Sequence, residues 1–246
     1  MMDFHGKTAL VTGASVGIGR ATALAFAEKG ARLILLDVAF EKLKSVRDEI
    51  LPYTEDVLIY ECDISDEARV NEVVSDAARI LDGIDILVNN AALWRCHADF
   101  VDTTTEEWRR FLNVNVMGTV YVTKAVLPGM LERGYGRIIN VASVAGVYGN
   151  RKMAHYSATK GAVISFTKAL AKEVVDKGVL VNAVSPGSVS PAEQSDVDYV
   201  QPSTLSYMGR TGSDRENADL ICFLASDAAS YITGQNIQID GCRRML

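Results

Sequence analysis

Little in this chain points to a covalent or metal scaffold. Only four cysteines occur in 246 residues: Cys62, Cys96, Cys222 and Cys242. None forms a Cys-x-x-Cys pair and their spacing matches no zinc pattern, so they read as reduced thiols in a reducing compartment, and no metal site is expected. No run of 18 apolar residues is present, so no transmembrane helix is expected. Residues 1–7 hold no apolar stretch of signal-peptide length, and the expected location is the cytoplasm. Basic charge is in deficit, with a net charge of −6. That argues against nucleic acid or an anionic membrane as partner. Repeats and linkers are absent too. A chain of this length can still bury a sizeable core without disulfide or metal staples.

What the chain does have is alternation. Short apolar runs of strand length are expected at 8–11, 32–37, 57–61, 84–89, 137–141, 180–184 and 236–240. Between them, helical periodicity is expected over 17–29, 40–50, 67–81, 106–133, 154–177 and 217–226, with Pro128 as a bend or break in the fourth of these. Strands that alternate with helices imply a parallel sheet covered on both faces. Strands apolar throughout agree with that burial. The fold class expected is therefore α/β, a doubly wound, Rossmann-like parallel sheet of about seven strands in one domain spanning 1–246. Residues 188–213 are weakly patterned and carry Pro191 and Pro202. A loop that long in a compact domain reads as a mobile substrate flap.

The first strand runs into Thr12-Gly13-Ala14-Ser15-Val16-Gly17-Ile18-Gly19, and a helix follows. That is the context a dinucleotide-binding turn requires. Glycines permit the tight turn and the close approach of a pyrophosphate, and the helix N-terminus offers free N–H groups and a positive dipole end. The spacing is Gly-x3-Gly-x-Gly rather than the commoner Gly-x-Gly-x-x-Gly. Asp37 closes the second strand about 20 residues on, where a carboxylate accepts from the adenosine ribose hydroxyls. A carboxylate there repels a 2′-phosphate, and no Arg or Lys stands inside the turn, where Val16 sits. The cofactor expected is NAD. Asp63 follows the third strand, placed either to meet the adenine or to start a helix.

Tyr156-Ser157-Ala158-Thr159-Lys160 sets a phenol and an ammonium on one helix face at i and i+4. A phenol titrates near 10, and an adjacent ammonium is expected to bring it toward neutrality, where it serves as a general acid/base. Ser143 lies thirteen residues earlier, at the C-terminal end of a strand, which is where ligands bind in open α/β sheets. Each element is common alone. The order is informative: glycine turn, acidic strand end, Ser, then Tyr-x3-Lys.

In that order the chain resembles the short-chain dehydrogenase/reductase superfamily, in its compact single-domain form. The matching segments are 12–19, Asp63, Asn89-Asn90-Ala91-Ala92, Asn115, Ser143, Tyr156 and Lys160, Pro186-Gly187, and 234–241. The resemblance implies an NAD-dependent oxidoreductase that moves a hydride between the nicotinamide and a secondary alcohol or ketone of hydroxysteroid, 3-oxoacyl, sugar or cyclic-alcohol type. It implies Tyr156 as proton donor or acceptor. Lys160 would hold the nicotinamide ribose, Ser143 would orient the substrate oxygen, and Asn115 would support a water chain to Lys160. Gly13, Ser15, Gly17, Ile18, Gly19, Asp37, Asp63, Ile64, Asn90 and Val189 complete the implied cofactor set. Family members are commonly homotetramers, with a homodimer as the alternative. An NADPH-dependent ketoreductase and a non-catalytic NAD-binding protein are the competing readings.

Three departures stand out. Ala92 replaces the last glycine of Asn-Asn-Ala-Gly. Pro191 stands where a nicotinamide-anchoring Thr is usual, leaving Ser188 or Ser190 to take its place. Cys242 replaces the second glycine of an Asp-Gly-Gly ending. For the substrate, residues 93–100, 144–155 and the flap are expected to line the pocket. They carry Trp94, Arg95, His97, Tyr148, Arg151, Met153, His155, Tyr207 and Met208. Arg95 and Arg151 are candidates to pair a carboxylate or phosphate, and His97 and His155 read as structural.

Overall fold

The structure is a computed structural model that describes residues 2–95, 97–190 and 196–244. Seven strands form one sheet: β1 (Thr8–Thr12), β2 (Arg32–Asp37), β3 (Val57–Glu61), β4 (Ile86–Asn89), β5 (Gly136–Val141), β6 (Val179–Pro186) and β7 (Asn236–Ile239). Their order is β3-β2-β1-β4-β5-β6-β7 and every pairing is parallel. This is the doubly wound, Rossmann-like sheet expected from the alternation. The order reverses between β1 and β4, and a crevice at such a switch point is where open α/β sheets bind ligands.

The helices are α1 (Gly17–Ala27), α2 (Phe40–Ile50), α3 (Glu67–Ile80), α4 (Thr105–Leu112), α5 (Thr119–Arg133), α6 (Val144–Tyr148), α7 (Ala154–Val174) and α8 (Asp214–Ala225). They cover both faces. On one face α1, α2 and α8 bury Phe26, Leu43 and Ile221 against Leu33 and Leu35 of β2. On the other, α3, α5 and α7 bury Val73, Val126 and Leu170 against Leu10, Leu87 and Ile138. Alternate residues of one strand thus serve opposite layers, which is why the strands read as unbroken apolar runs. Each fully buried Leu or Ile contributes on the order of 2 kcal/mol.

The expected 106–133 helix differs from the structure. A π-helical turn, Asn113–Gly118, separates α4 from α5, and Pro128 sits inside α5 without ending it. Pro128 and Lys124 are both exposed, so water can take the Lys124 carbonyl that a proline at 128 leaves without its i→i−4 donor. By length and composition the run Thr105–Arg133 resembles a membrane-crossing helix. Its apolar residues Val122, Val126 and Met130 are instead buried in the core against α3 and the sheet. Helix α8 starts at Asp214, three residues before expectation. A capping box in which Ser213 and Glu216 satisfy each other's backbone N–H sets that start.

Candidate active site

The glycine turn is built for close approach. Gly13 has φ +64°, and a Cβ there would lie 2.7 Å from the Ala91 Cα. At Gly19 a Cβ would lie 2.0 Å from the Gly13 carbonyl oxygen. Asn90 holds the other side of the turn, its Nδ2 donating to the carbonyls of Thr12 and Gly13 at 3.0 Å each. Expected as a cofactor contact, Asn90 thus has its amide engaged with the turn itself. Val16 occupies the N-cap of α1 and supplies no side-chain cap, and the first turn carries no acidic residue. By contrast Asp66, Thr104 and Ser213 cap α3, α4 and α8. The N-terminus of α1 therefore presents uncapped N–H groups, the arrangement that receives a phosphate.

Asp37 stands at the end of β2 beside that turn. Its carboxylate accepts from the Ser15 amide at 3.0 Å and from the Ala39 amide at 2.9 Å. Arg20, the nearest cation to the turn in sequence, is held by Glu49 on α2, which leaves the Asp37 corner acidic. Asp63 accepts from the Ser65 amide and hydroxyl, and the helix cap falls to Asp66. A dinucleotide fits this end: a cradle that a Cβ would fill, an uncapped helix N-terminus and a carboxylate at the ribose position.

One cleft of about 1130 Å³ runs along the C-terminal ends of the strands. It exceeds the ~300–1,000 Å³ usual for a drug-sized ligand. Gly13, Ser15, Gly17, Ile18, Asp37, Asp63, Ile64, Asn90, Ser143, Tyr156, Lys160 and Val189 all line it. Gly19 and Asn115 do not. Gly19 packs under the turn, and Asn115 is buried at 1% exposure. The Asn115 amide accepts from the Leu93 N–H at 2.7 Å, donates to the Leu93 carbonyl at 2.9 Å and donates to Thr159 at 3.0 Å. It fastens the loop after β4 to α7 and shapes the π turn.

Ser143 caps α6, its hydroxyl accepting from the Ala145 amide at 3.1 Å, and it lies near enough to the Tyr156 phenol to lower its pKa. Lys160 Nζ donates to the Val141 carbonyl at 2.6 Å and lies 5.9 Å from the Tyr156 ring centroid. Burial holds the Lys160 ammonium down to about 8. Burial also pushes the Tyr156 phenol up, and Ser143 opposes this only in part. The expected lowering of the phenol by its lysine neighbour is thus not what this state displays. Desolvation dominates, and the ammonium is bound to the Val141 carbonyl at the end of β5.

At the substrate end Trp94, Arg95, His97 and Met153 line the cleft as expected, and Arg110, Val114, Asn150 and Gln201 join them. Tyr148, Arg151, Tyr207 and Met208 are not on its wall. His155 is fully buried, stacked on Phe111 with centroids 4.0 Å apart. Its Nδ1 accepts from the Tyr156 amide at 2.7 Å, and burial lowers its pKa. It is a structural histidine. Ser190 cannot serve as a free anchor: its hydroxyl donates to the Tyr199 carbonyl at 2.7 Å and pairs with Thr211 at 2.9 Å. Ser188 lines the cleft. Pro191 lies outside the described residues. Val189 bridges Gly212. Cys242 has φ +57°, the left-handed region that explains why glycine is usual there.

A parallel sheet with a phosphate cradle at its switch point and a Ser-Tyr-Lys set on the adjoining strand and helix defines a nicotinamide-dependent oxidoreductase. Comparison with known proteins agrees. The family model described as "Enoyl-(Acyl carrier protein) reductase" matches residues 13–242. The chain is 41% identical over 243 residues to the 3-oxoacyl-[acyl-carrier-protein] reductase FabG of Thermotoga maritima, covering 98% of each. It is 35% identical over 245 residues to the 2-dehydro-3-deoxy-L-rhamnonate dehydrogenase (NAD(+)) of a Sphingomonas species, covering 98% of this chain and 96% of the relative. A crystal structure of NAD+-bound xylitol dehydrogenase superposes with a TM-score of 0.89 at 34% identity, over 97% of this chain and 99% of that one. The chain belongs to the short-chain dehydrogenase/reductase superfamily.

Proposed function

We propose that this protein is an NAD-dependent oxidoreductase acting on a secondary alcohol/ketone pair, with Tyr156 as its acid/base. The observation that carries the reading is a single cleft with the Asp37 corner and uncapped α1 N-terminus at one end and the Ser143–Tyr156 pair at the other. The nicotinamide supplies or takes up the hydride when bound. Ser143 would donate to the substrate oxygen, and Tyr156 would give its phenolic proton to a ketone oxygen or take the proton from an alcohol. A phenol raised by burial favours the acid role near neutral pH, so reduction runs at neutral pH and oxidation gains as pH rises. Lys160, reoriented from the Val141 carbonyl, would hold the ribose and favour the phenolate. Asn115 would keep the loop after β4 in place and back the proton path to Lys160. Gly13, Ser15, Gly17, Ile18, Asp63, Ile64, Asn90 and Val189 would line the bound dinucleotide, with Gly19 supporting the turn from below.

Asp37 supports NAD over NADPH, and two of the similar proteins carry NAD+ in their names. The reductases among the relatives favour a second reading, 3-oxoacyl thioesters as substrate. A substrate panel followed by NADH and NADPH absorbance separates these. Tyr156→Phe is expected to lower turnover by at least about 10²-fold while NADH affinity is unchanged. Full activity in that variant sinks the mechanism. NADH is expected to bind at least about tenfold tighter than NADPH, roughly 1.4 kcal/mol, and equal affinities reject the Asp37 argument. We further propose a cytoplasmic homo-oligomer, tetramer before dimer, with residues 196–213 covering the substrate end. Light scattering reads the assembly.

A further inference from the structure

The two ends of the cleft differ in charge. Its carboxylates, Asp37, Asp63 and Asp214, belong to the cofactor end: Asp37 ends β2, Asp63 follows β3, and the charge of Arg20 of α1 acts to lower the Asp214 pKa. Around Tyr156 the described lining holds no carboxylate. It holds Arg95, His97 and Arg110, with the amides of Asn150 and Gln201. In a protein of net charge −6, the described lining of the substrate end thus holds arginines and no carboxylate. Arg110 is placed there by packing. Phe111, the next residue on α4, stacks on His155, the residue before Tyr156. Val114, four residues on, lines the same wall. The loop that carries His97 is pinned beside Met153 by the Ala98 amide, which donates to the Lys152 carbonyl at 3.1 Å.

Two nearby carboxylates have partners of their own. Glu107 closes the capping box with Thr104, and Asp99 pairs with Lys152 at 3.2 Å. Among the described residues Arg110 has no ion pair, although Glu106 stands four residues before it on the same helix. Arg95 lies over the Trp94 ring at 5.0 Å. A guanidinium on a cleft wall with no carboxylate partner among the described residues, as Arg110 is, matches a planar anion in the ligand.

We propose that the substrate of this site carries an anionic group, a carboxylate or phosphate, and that Arg110 is the specificity-determining residue that reads it. The proposal rests on the dehydrogenase reading for what is oxidised, though the anion subsite can be measured without turnover. An alcohol added to the NADH-loaded enzyme forms a dead-end complex, and calorimetry reads its affinity. The probes are 3-hydroxybutyrate and 3-hydroxyoctanoate, each against its methyl ester, and glycerol 3-phosphate against glycerol.

At least one anion is expected to bind ten or more times tighter than its neutral partner, with affinity falling as salt rises. The acids and the phosphate distinguish the two anion types. Arg110→Ala is expected to abolish the preference, Arg110→Lys to retain most of it, and Tyr156→Phe to leave it intact. Arg110 is exposed, so an unchanged thermal melt of the variants serves as the folding control. Three pairs all within threefold in the wild type, or a preference that survives Arg110→Ala, overturn the proposal. Anion preference without turnover on any alcohol would sink the dehydrogenase reading and leave the subsite standing. Turnover of neutral alcohols without the preference would do the reverse.

Discussion

Asp214 is a carboxylate that burial penalises, and replacing it with Asn should stabilise the protein. It opens α8 at 4% exposure, and no side-chain hydrogen bond or ion pair holds it among the described residues. Burial pushes its pKa from 3.8 up to about 6, with Arg20 pulling partly back. At about 1.4 kcal/mol per tenfold change, that rise corresponds to about 3 kcal/mol against the ionised form. The sign follows from proton counts. Between pH 3.8 and about 6 the folded chain binds more protons than the unfolded one, so stability falls as pH rises through this window. At pH 7 both states are ionised and the full penalty is present. Asn removes it but also loses the attraction of a carboxylate to the helix N-terminus, up to about 1 kcal/mol. The net gain expected for Asp214→Asn at pH 7 is about 2 kcal/mol. For a chain of this size that is a Tm rise of about 5 °C. Near pH 4 the gain should shrink to about 0.5 kcal/mol or less, because the folded wild type is then protonated at Asp214 and the unfolded chain is near its own midpoint of 3.8. Urea titrations at pH 4 and pH 7, at one protein concentration and without cofactor, measure the difference. No gain at pH 7, or the same gain at both pH values, refutes the reasoning.

Gly19→Ala forces a Cβ to within 2.0 Å of the Gly13 carbonyl oxygen, so the turn must open. NADH affinity by fluorescence titration is expected to drop at least about tenfold, about 1.4 kcal/mol. Asn115→Ala deletes one buried and two part-buried hydrogen bonds and leaves the Leu93 backbone without its Asn115 partners. A loss of about 2–4 kcal/mol is expected, read by urea midpoint, and an unchanged midpoint removes Asn115 from the structural account. Burial holds the Lys160 ammonium down to about 8. If a bound ribose gives its ammonium acceptors, binding takes up a proton above pH 8, so NADH affinity should fall as pH rises from 8 to 10 in the wild type and stay flat in Lys160→Met. A flat wild-type profile refutes the contact.

The sheet was readable in the sequence because its signal is local. β2, α2 and β3 begin and end where the apolar periodicity does. The start of α8 was also written locally, in Ser213-x-x-Glu216, ahead of the apolar residues that suggested a later start. The π turn was not readable. Asn113-Val114-Asn115 continues a helical pattern, and what unwinds it is a set of bonds from Asn115 to Leu93 and to Thr159, 44 residues away. The substrate wall shows the same limit. Nothing in the neighbourhood of Arg110 sets it apart from Arg109. Its place on the cleft depends on Phe111 finding His155 across two helices. Arg151, which looked equally suitable, belongs to a loop whose neighbours Asn150 and Met153 face the cleft in its stead.

The largest gap between sequence and structure lies in the electrostatics of the Tyr156–Lys160 pair. Spacing brings the two groups onto one helix face but says nothing about solvent. In the folded chain three titratable groups on the cleft wall, Tyr156, Lys160 and Asp214, are all displaced toward their neutral forms, and burial is the largest cause for each. Neutral forms are what a low-dielectric cleft prefers. For Lys160 the sign is opposite to that of Asp214. Its folded pKa of about 8 lies below the ordinary 10.5, so below pH 8 the fold carries an unfavourable ammonium and gains stability only as pH rises toward 10.5. Both groups therefore weaken the fold at neutral pH, from opposite charges that do not compensate each other. Asp214 sits by Arg20 at the α1 end, and Lys160 donates to β5 at the other. A sequence selected for stability alone has better residues for both positions. Their retention in the cleft, rather than in the two apolar layers, marks the cleft as the place where stability yields to binding and chemistry.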